Sequence, residues 1–342
     1  MSVKTVEYLA NAPTASAAAT PNTERGPSEI IWGAPGSYNA WPPDFYQEPR
    51  LGLYFFDDFN NIGGFPAAAT AASLSIGNWS LYAGSNAGPL TDAAIVGGVI
   101  QFVPSSGTVS TGASNTQVTL NSQIGAYQII TNSSGNSALQ GRLAFEARVA
   151  LTSVTSGQRD AFIGLADQGA PSSNNPFTVV SAGSSQMLTT TRNLIGFYNA
   201  DSGRGQDWAF VFQLASTAPV FSAGLQSLVS TVLGSAIGAG TYYKLGFVYD
   251  PFAPTLIVAT AGQGQTVGAI AKAMIKVYVN GVQCATFLTQ TQNILTASFP
   301  TGIMGPCISF ANVSNSGTSN SATNLAGLMN VDWVRVAQNL IA

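Results

Sequence analysis

Histidine is missing from this chain of 342 residues, and cysteine is nearly so. Ser-His-Asp and Cys-His nucleophilic sites need an imidazole base, and many metal centres need its ring nitrogen. Cys284 and Cys307 cannot by themselves supply the tetrahedral ligand set of a structural zinc site. No glycine-rich loop of the G-x-x-x-x-G-K-[ST] type is present to cradle a phosphate. These absences exclude most classes of enzyme, and we expect no cofactor.

Charge is also scarce. Only 8% of the residues are charged and the net charge is −3, whereas about a quarter of an average globular protein is charged. We therefore expect neither nucleic acid nor membrane as a partner. The charge-free stretch 209–243 contains Ser, Gln, Thr, Pro and Gly, which does not fit a membrane helix of about 20 apolar residues. A surface of neutral hydroxyls and amides suits contacts with other proteins.

An apolar signal-peptide core is missing from the first residues, 1–7. We therefore expect synthesis in a reducing compartment, where disulfides are rare. Under that expectation Cys284 and Cys307 are buried free thiols, although a disulfide between them stays open.

Residues 1–50 differ from the rest of the chain. They hold 8 of the 27 charged residues and 7 of the 17 prolines, without a strand or helix period. They also hold aromatic residues, which disordered tails usually lack and which often anchor interfaces. We predict an extended arm that lies on a neighbouring surface, with a tail or linker as the alternative. The candidate partner-binding residues of the arm are Trp32, Tyr38, Trp41, Phe45 and Tyr46.

Residues 51–338 are typical of an all-β protein, and 339–342 form a short tail. Short runs in which apolar and polar residues alternate are separated by turn residues about every ten positions. This pattern predicts a sandwich of antiparallel sheets. The candidate strands are 79–83, 93–102, 117–120, 127–131, 145–151, 162–167, 195–199, 208–212, 243–249 and 328–336. Asn280-Gly281 between β-branched and aromatic residues predicts a type I′ hairpin over 275–287. The apolar run at 220–240 fits either a helix or a strand, and its surroundings favour a strand.

Several of these segments, in their order along the chain, resemble concanavalin A-like lectin/glucanase (laminin-G-like) jelly-roll domains. They are 54–59 with Asp57-Asp58, 145–151, 162–167, KVYVNGV at 276–282 and VDWVRV at 331–336. The resemblance covers roughly 51–338 and implies two antiparallel sheets, the last strand lying beside the first. Lectins and glucanases of this type carry carbohydrate sites on the concave face. Some members hold Ca²⁺ near the closing strand, which implies Asp332 as a candidate ligand; we predict no metal and leave Ca²⁺ open.

A glycosidase needs only two carboxylates, so it is the enzyme class that the missing histidine does not exclude. Retaining glucanases of the resembling fold carry an E-x-D-x-x-E strand, and this sequence has none. Glu146 is the only glutamate after residue 50, and Arg148 lies on the same face of its strand. We interpret Glu146 and Arg148 as a solvated surface pair and predict that the protein is not an enzyme.

The neutral composition, the aromatic arm and the missing catalytic carboxylates resemble versions of this fold in tailed-phage virions. We expect a capsid decoration protein on the virion surface, made in the host cytoplasm. Its expected partners are the major capsid protein or other virion proteins, and we expect a homo-oligomer, for which a trimer would be one form.

The alternative is a carbohydrate-binding adhesin or tail-fibre receptor-binding module that takes a cell-surface glycan. Sugar sites stack rings on exposed aromatics and orient them with a few polar groups. The candidate glycan-binding residues are Trp79, Tyr198, Asn199, Asp207 and Trp208.

Overall fold

The fold is described here from a computed structural model. The residues that the structure describes are 26–32, 52–60, 74–83, 91–92, 98–102, 117–123, 125–129, 141–152, 154, 159–167, 177–178, 187–188, 191–200, 207–221, 227–250, 274–284, 300, 302–312 and 328–339. Of the predicted arm residues, Tyr38, Trp41, Phe45 and Tyr46 lie outside these ranges.

Strands dominate the described part of the chain. In chain order the elements are α1 (Glu29–Trp32), β1 (Gly52–Asp57), β2 (Leu74–Ile76), β3 (Trp79–Ala83), β4 (Thr91–Asp92), β5 (Ile100–Phe102), β6 (Gln117–Ser122), β7 (Tyr127–Gln128), β8 (Leu143–Leu151), β9 (Arg159–Asp167), β10 (Phe177–Thr178), β11 (Met187–Leu188), β12 (Leu194–Ala200), β13 (Trp208–Gln213), β14 (Val220–Phe221), α2 (Leu228–Leu233), β15 (Tyr242–Asp250), β16 (Met274–Val279), β17 (Val282–Gln283), β18 (Ile303–Asn312) and β19 (Met329–Asn339).

The strands form two large antiparallel sheets and a separate antiparallel pair of β10 with β11. Sheet A has the order β17-β16-β15-β8-β19-β5-β4, with β1 also paired to β19. Sheet B has the order β14-β13-β12-β9-β18-β6-β3-β2, with β7 also paired to β18. The last two long strands return between strands of the first half: β18 beside β9, and β19 beside β8. This wrapping of the chain around two sheets is a jelly roll, and it confirms the predicted all-β fold class.

The first and last strands lie side by side, as the sequence predicted. Gly52 pairs with Asn339 and Asp57 pairs with Val334 in antiparallel register. The register of β19 against β8 shifts between Val331 and Trp333. An extra residue at this point is a β-bulge, which lets β19 keep apolar side chains directed inward on both sides of it.

The core lies between the two sheets and is built from the alternation of side chains along each strand. Phe145, Ala147 and Val149 of β8 face inward, as predicted for 145–151. Phe247 of sheet A lies 5.6 Å from Phe210 and 6.4 Å from Phe197 of sheet B, measured between ring centroids. Such tilted and edge-on aromatic pairs fill the space between the sheets and fix their separation.

The predicted hairpin is confirmed. Asn280 and Gly281 have φ values of 49° and 76° between β16 and β17. Positive φ at both central residues is the signature of a type I′ turn.

The favoured strand at 220–240 is wrong for its central part. Among the described residues of this range, Val220–Phe221 is a strand and Leu228–Leu233 is the helix α2. Leu228 and Val229 are buried in the main core, whereas Thr231 is exposed, so the apolar stripe has the helical period after all. Gly234 ends the helix in the left-handed conformation, with its N–H bonded to the carbonyl of Ser230.

The free thiols expected from the sequence are confirmed: Cys284 and Cys307 are both buried and unpaired. Among the described residues, no helix is long and apolar enough to cross a membrane.

Candidate functional site

A short N-terminal segment packs on the outer face of sheet A, the face turned away from sheet B. We call residues 26–32 the strap. Ile31 is fully buried and Trp32 is 4% exposed. They form a separate apolar cluster with Ala144, Val248, Tyr278 and Ala337 of the sheet. The strap therefore covers part of the outer face of sheet A and buries apolar side chains against it.

Glu146 is the polar centre of this contact. Its Oε2 accepts the backbone N–H of Ser28 at 2.9 Å and the indole N–H of Trp32 at 2.7 Å. Two further hydrogen bonds flank the carboxylate: Lys244 donates to the carbonyl of Gly26 at 3.1 Å, and Arg142 donates to the carbonyl of Ile31 at 3.4 Å. The sheet thus offers one acceptor and two donors that match the strap's own polar groups.

Burial raises the pKa of Glu146, because a carboxylate in the dry contact has lost its hydration. Hydrogen bonds from Ser28, the charge of Lys244 and the Trp32 indole act in the opposite direction. Oε1 of Glu146 is buried without a hydrogen-bond partner in the described structure. The carboxyl group is thus inaccessible to solvent, and its charged form carries a desolvation cost that the hydrogen bonds offset only in part.

The interpretation of Glu146 and Arg148 as a solvated pair is wrong. Glu146 is fully buried beneath the strap, and Arg148 turns instead to Asp332, with which it forms a salt bridge. The guanidinium of Arg148 also lies 4.2 Å from the ring centroid of Tyr242. Alternation along β8 placed both residues on the outer face correctly, but it carried no information about what covers that face.

Trp32 contacts its own domain. Its ring lies 4.2 Å from the guanidinium carbon of Arg335, which in turn lies 5.4 Å from the ring of Tyr54 on β1. Cation–π contacts of this kind favour Arg over the face of an indole. The anchor role predicted for Trp32 is thus performed within the chain in this structure, and the anchor role of the other four arm aromatics stays a prediction.

The predicted glycan-binding residues are core residues, which corrects the expectation that their rings are exposed. Trp79 is fully buried, packs edge-on against Phe55 at 5.4 Å and donates its indole N–H to Asp57 at 2.6 Å. Trp208 is 1% exposed in the same core. A ring that is covered by its own domain cannot stack on a sugar.

The other three candidates are also buried. Tyr198 is 2% exposed and Asn199 fully buried on β12. Asp207 accepts the N–H groups of Val229 and Ser230 and the hydroxyl of Ser230. From its position directly before β13, Asp207 therefore caps the N-terminus of α2 and satisfies helix N–H groups that have no partner within the helix.

The residues around Asp332 do not fit a calcium ion. Asp332 is fully buried and its carboxylate is paired with Arg148. Asp57 is engaged by Trp79 and by the N–H of Phe59. Ca²⁺ takes six to eight oxygen ligands, and an adjacent guanidinium opposes any cation. Within the described ranges no group of three His, Cys, Asp or Glu side chains could hold a metal.

Carboxylates in the described part of the chain are engaged in structural contacts. Asp167 accepts hydrogen bonds from Arg192 and Asn193, and Asp58 accepts them from Asn60. Glu29, on the outer side of the strap, is exposed. Asp57, Asp58, Glu146, Asp167, Asp207 and Asp332 each accept from a specific donor, so none of these six is presented as a free general acid or base.

Sequence reasoning missed the residues that receive the strap: Lys244, Arg142, Arg335 and Gly246. One signal was visible, since Lys244 and Gly246 occupy outward positions of an otherwise apolar strand. A Cβ at Gly246 would lie 2.5 Å from Cδ1 of Ile31. The glycine therefore opens the space that Ile31 fills.

No protein-family model and no curated protein matches the sequence. Solved structures that resemble the chain include lectins and glucanases, the two classes in the family that the sequence resembles. The carbohydrate recognition domain of Emp47p is 12% identical, with 86% of this chain and 99% of that chain covered and a TM-score of 0.42. A basic winged bean lectin is 7% identical (84% and 99% covered, TM-score 0.42). A β-1,3-glucanase from Mycobacterium marinum is 11% identical (82% and 97% covered, TM-score 0.37).

Proposed function

We propose that the protein is a non-catalytic virion structural protein, a decoration protein on the capsid surface of a tailed phage. Its N-terminal arm binds the major capsid protein or another virion protein after synthesis in the host cytoplasm. The observation that carries the non-catalytic part is the burial of Glu146, the one glutamate of the sandwich, beneath the strap. A carboxyl group of raised pKa, the kind of group that a general acid requires, is here used to hold the strap.

The composition supports the interaction part of the proposal. A chain with 8% charged residues can meet another protein surface without desolvating many ions. Asp332 and Asp167 of the sandwich are also bound to structural donors, each in a salt bridge with an arginine. The virion setting rests on the resemblance of the composition and the aromatic arm to phage proteins of this fold.

A mass-spectrometric census of purified virus particles tests the virion setting. We expect this chain in a fixed stoichiometric ratio to the major capsid protein, and electron microscopy of the particles should show it on the outer surface. Particles that lack the chain, or that hold it in trace amounts, would contradict the proposal.

The arm needs a more selective test than its deletion. Removal of residues 1–50 would also remove the strap and expose Glu146, so a folding defect would be confused with lost binding. Substitution of Tyr38, Trp41, Phe45 and Tyr46 by Ala leaves the strap intact. We expect lost capsid occupancy with unchanged melting; the matched control is Val282→Ala with Ile303→Ala, two exposed apolar residues of the sandwich.

Glycan binding is the second candidate, at a different place from the buried residues considered above. Tyr54 and Phe56 on β1 are 36% and 42% exposed beside Arg335, and exposed rings next to a polar group suit a sugar. A glycan array probed with the wild type and with Tyr54→Ala plus Phe56→Ala tests this candidate. Binding that the double variant loses supports it, and an array without a binder removes it.

A further inference from the structure

The outer face of sheet A has the properties of a peptide-docking site. It offers a buried acceptor in Glu146, flanking donors in Lys244 and Arg142, and a recess at Gly246. Each of these features meets a complementary group of the strap. A sheet face that merely needed a cover would have no use for a desolvated carboxylate, whose burial is costly unless donors satisfy it.

The strap contributes two kinds of recognition to this site. Ile31 and Trp32 supply buried apolar anchors, and Ser28 and Trp32 supply the N–H donors that select the carboxylate. Few-residue anchors with matched polar groups are the usual way in which short peptides bind folded domains. The contact is therefore specific for this segment and does not depend on which copy of the chain delivers it.

The chain length between the strap and the sandwich allows delivery to another copy. Trp32 and Tyr54 both lie close to the Arg335 guanidinium, with ring centroids 4.2 and 5.4 Å from its central carbon. The connection between strap and β1, residues 33–51, has 19 residues, and a chain of this length extends to roughly 60 Å. It is several times longer than the gap that it bridges within one chain, so the strap can also reach the same site on a neighbour.

We infer that the outer face of sheet A is a docking site for the strap of a second copy of this chain, so that neighbouring copies exchange straps in the assembled protein. Exchange keeps every contact of the closed chain and adds a link between copies, which is the low-cost route to oligomers that identical elements provide. High local concentration on an assembled surface favours exchange over the intramolecular contact. The inference concerns contacts between copies and stands whether or not the assembled surface is a capsid.

Complementation between two full-length variants tests the exchange. Trp32→Ala weakens the strap and leaves the docking site intact. Gly246→Ala fills the recess for Ile31 and leaves the strap intact. We expect the wild type to increase in mass with concentration in light scattering, and each variant alone to stay a monomer. An equimolar mixture should contain species of about twice the monomer mass that hold both variants, because one strap and one site remain compatible.

The exchange is overturned if the wild type is a monomer at every concentration, if Trp32→Ala leaves the wild-type assembly unchanged, or if the mixture contains no mixed species. Gly246→Ala also brings its methyl group 3.0 Å from the carbonyl oxygen of Phe145, so its folding is checked by thermal melting. If Gly246→Ala does not fold, Val248→Arg is used in its place as the variant with a blocked docking site, because Val248 faces outward beneath the strap. Ile303→Ala, an exposed position on β18 of sheet B outside both strap and site, is the control that should associate like the wild type.

Discussion

The indole N–H of Trp32 donates to Oε2 of Glu146 at 2.7 Å, across 114 positions of the sequence. This bond joins the N-terminal part of the chain to the centre of sheet A. It makes Glu146 a structural residue, because the same oxygen also accepts the N–H of Ser28 at 2.9 Å. The stability of the strap should therefore depend on this one carboxyl group.

Two replacements of Glu146 distinguish the contribution of its charge to stability from the contribution of its hydrogen bonds. Glu146→Ala leaves the buried N–H donors of Ser28 and Trp32 without their acceptor and removes the negative charge near Lys244, so we expect a loss of about 2–4 kcal/mol in the free energy of unfolding. Glu146→Gln keeps an acceptor oxygen and should lose less. Chemical denaturation with Trp fluorescence measures both. Equal losses in the two variants would show that the hydrogen bonds to Glu146 do not hold the strap.

The pH dependence of stability should carry a signature of Glu146. Burial raises its pKa in the folded state above the ordinary value of 4.5, so the folded protein binds this proton more tightly than the unfolded chain does. The resulting stabilisation is fully present below the unfolded pKa and is lost as the pH rises through the folded pKa.

We therefore expect the wild type to gain stability relative to Glu146→Gln as the pH is lowered from neutral towards 4.5. The difference between the two proteins is the correct measure, because burial also raises the pKa of Asp57, which contributes with the same sign in both. Unfolding titrations at a series of pH values give this difference. A difference that does not vary with pH would contradict the raised pKa of Glu146.

The fold was predictable because it depends on patterns between residues that are close in the sequence, such as strand alternation and turn residues. Alternation along 145–151 and the Asn280-Gly281 turn determine strands and register within a few residues. The strap was not predictable, since its contacts with Glu146 span more than 110 positions and involve only single residues. The buried aromatics Trp79 and Trp208 failed as glycan candidates for a related reason: residue type alone does not tell a core ring from an exposed one.

We expect substitutions of Arg148 and Asp332, which form a salt bridge, to have strongly coupled effects on stability. Asp332 is fully buried, so Arg148→Met should leave a buried carboxylate without its guanidinium and cost about 3–5 kcal/mol. Asp332→Asn alone should also destabilise the protein, whereas the double variant should be more stable than the sum of the two losses predicts. A double-mutant cycle by chemical denaturation measures this coupling. Additive losses would mean that the pair does not act as a unit.

Calcium should not affect the melting temperature. Arg148 occupies the Asp332 carboxylate, and its positive charge opposes a cation there. We expect scanning calorimetry to give the same transition with millimolar Ca²⁺ and with a chelator. Arg148→Met is the informative companion, since it removes the guanidinium from the Asp332 carboxylate. A calcium-dependent rise in the melting temperature of the wild type would contradict the structural role given to Asp332.

The two thiols should be unreactive in the folded protein. Burial raises the pKa of Cys284 to about 12 and that of Cys307 to about 11, and only the thiolate reacts with disulfide reagents. We expect no reaction with an aromatic disulfide reagent at pH 8 in native buffer, and reaction of both thiols in denaturant. Cys284→Ser and Cys307→Ser, each measured alone, assign any reactivity to one site. Rapid labelling of either thiol under native conditions would show that the strands around it, β17 or β18, open far more often than their burial implies.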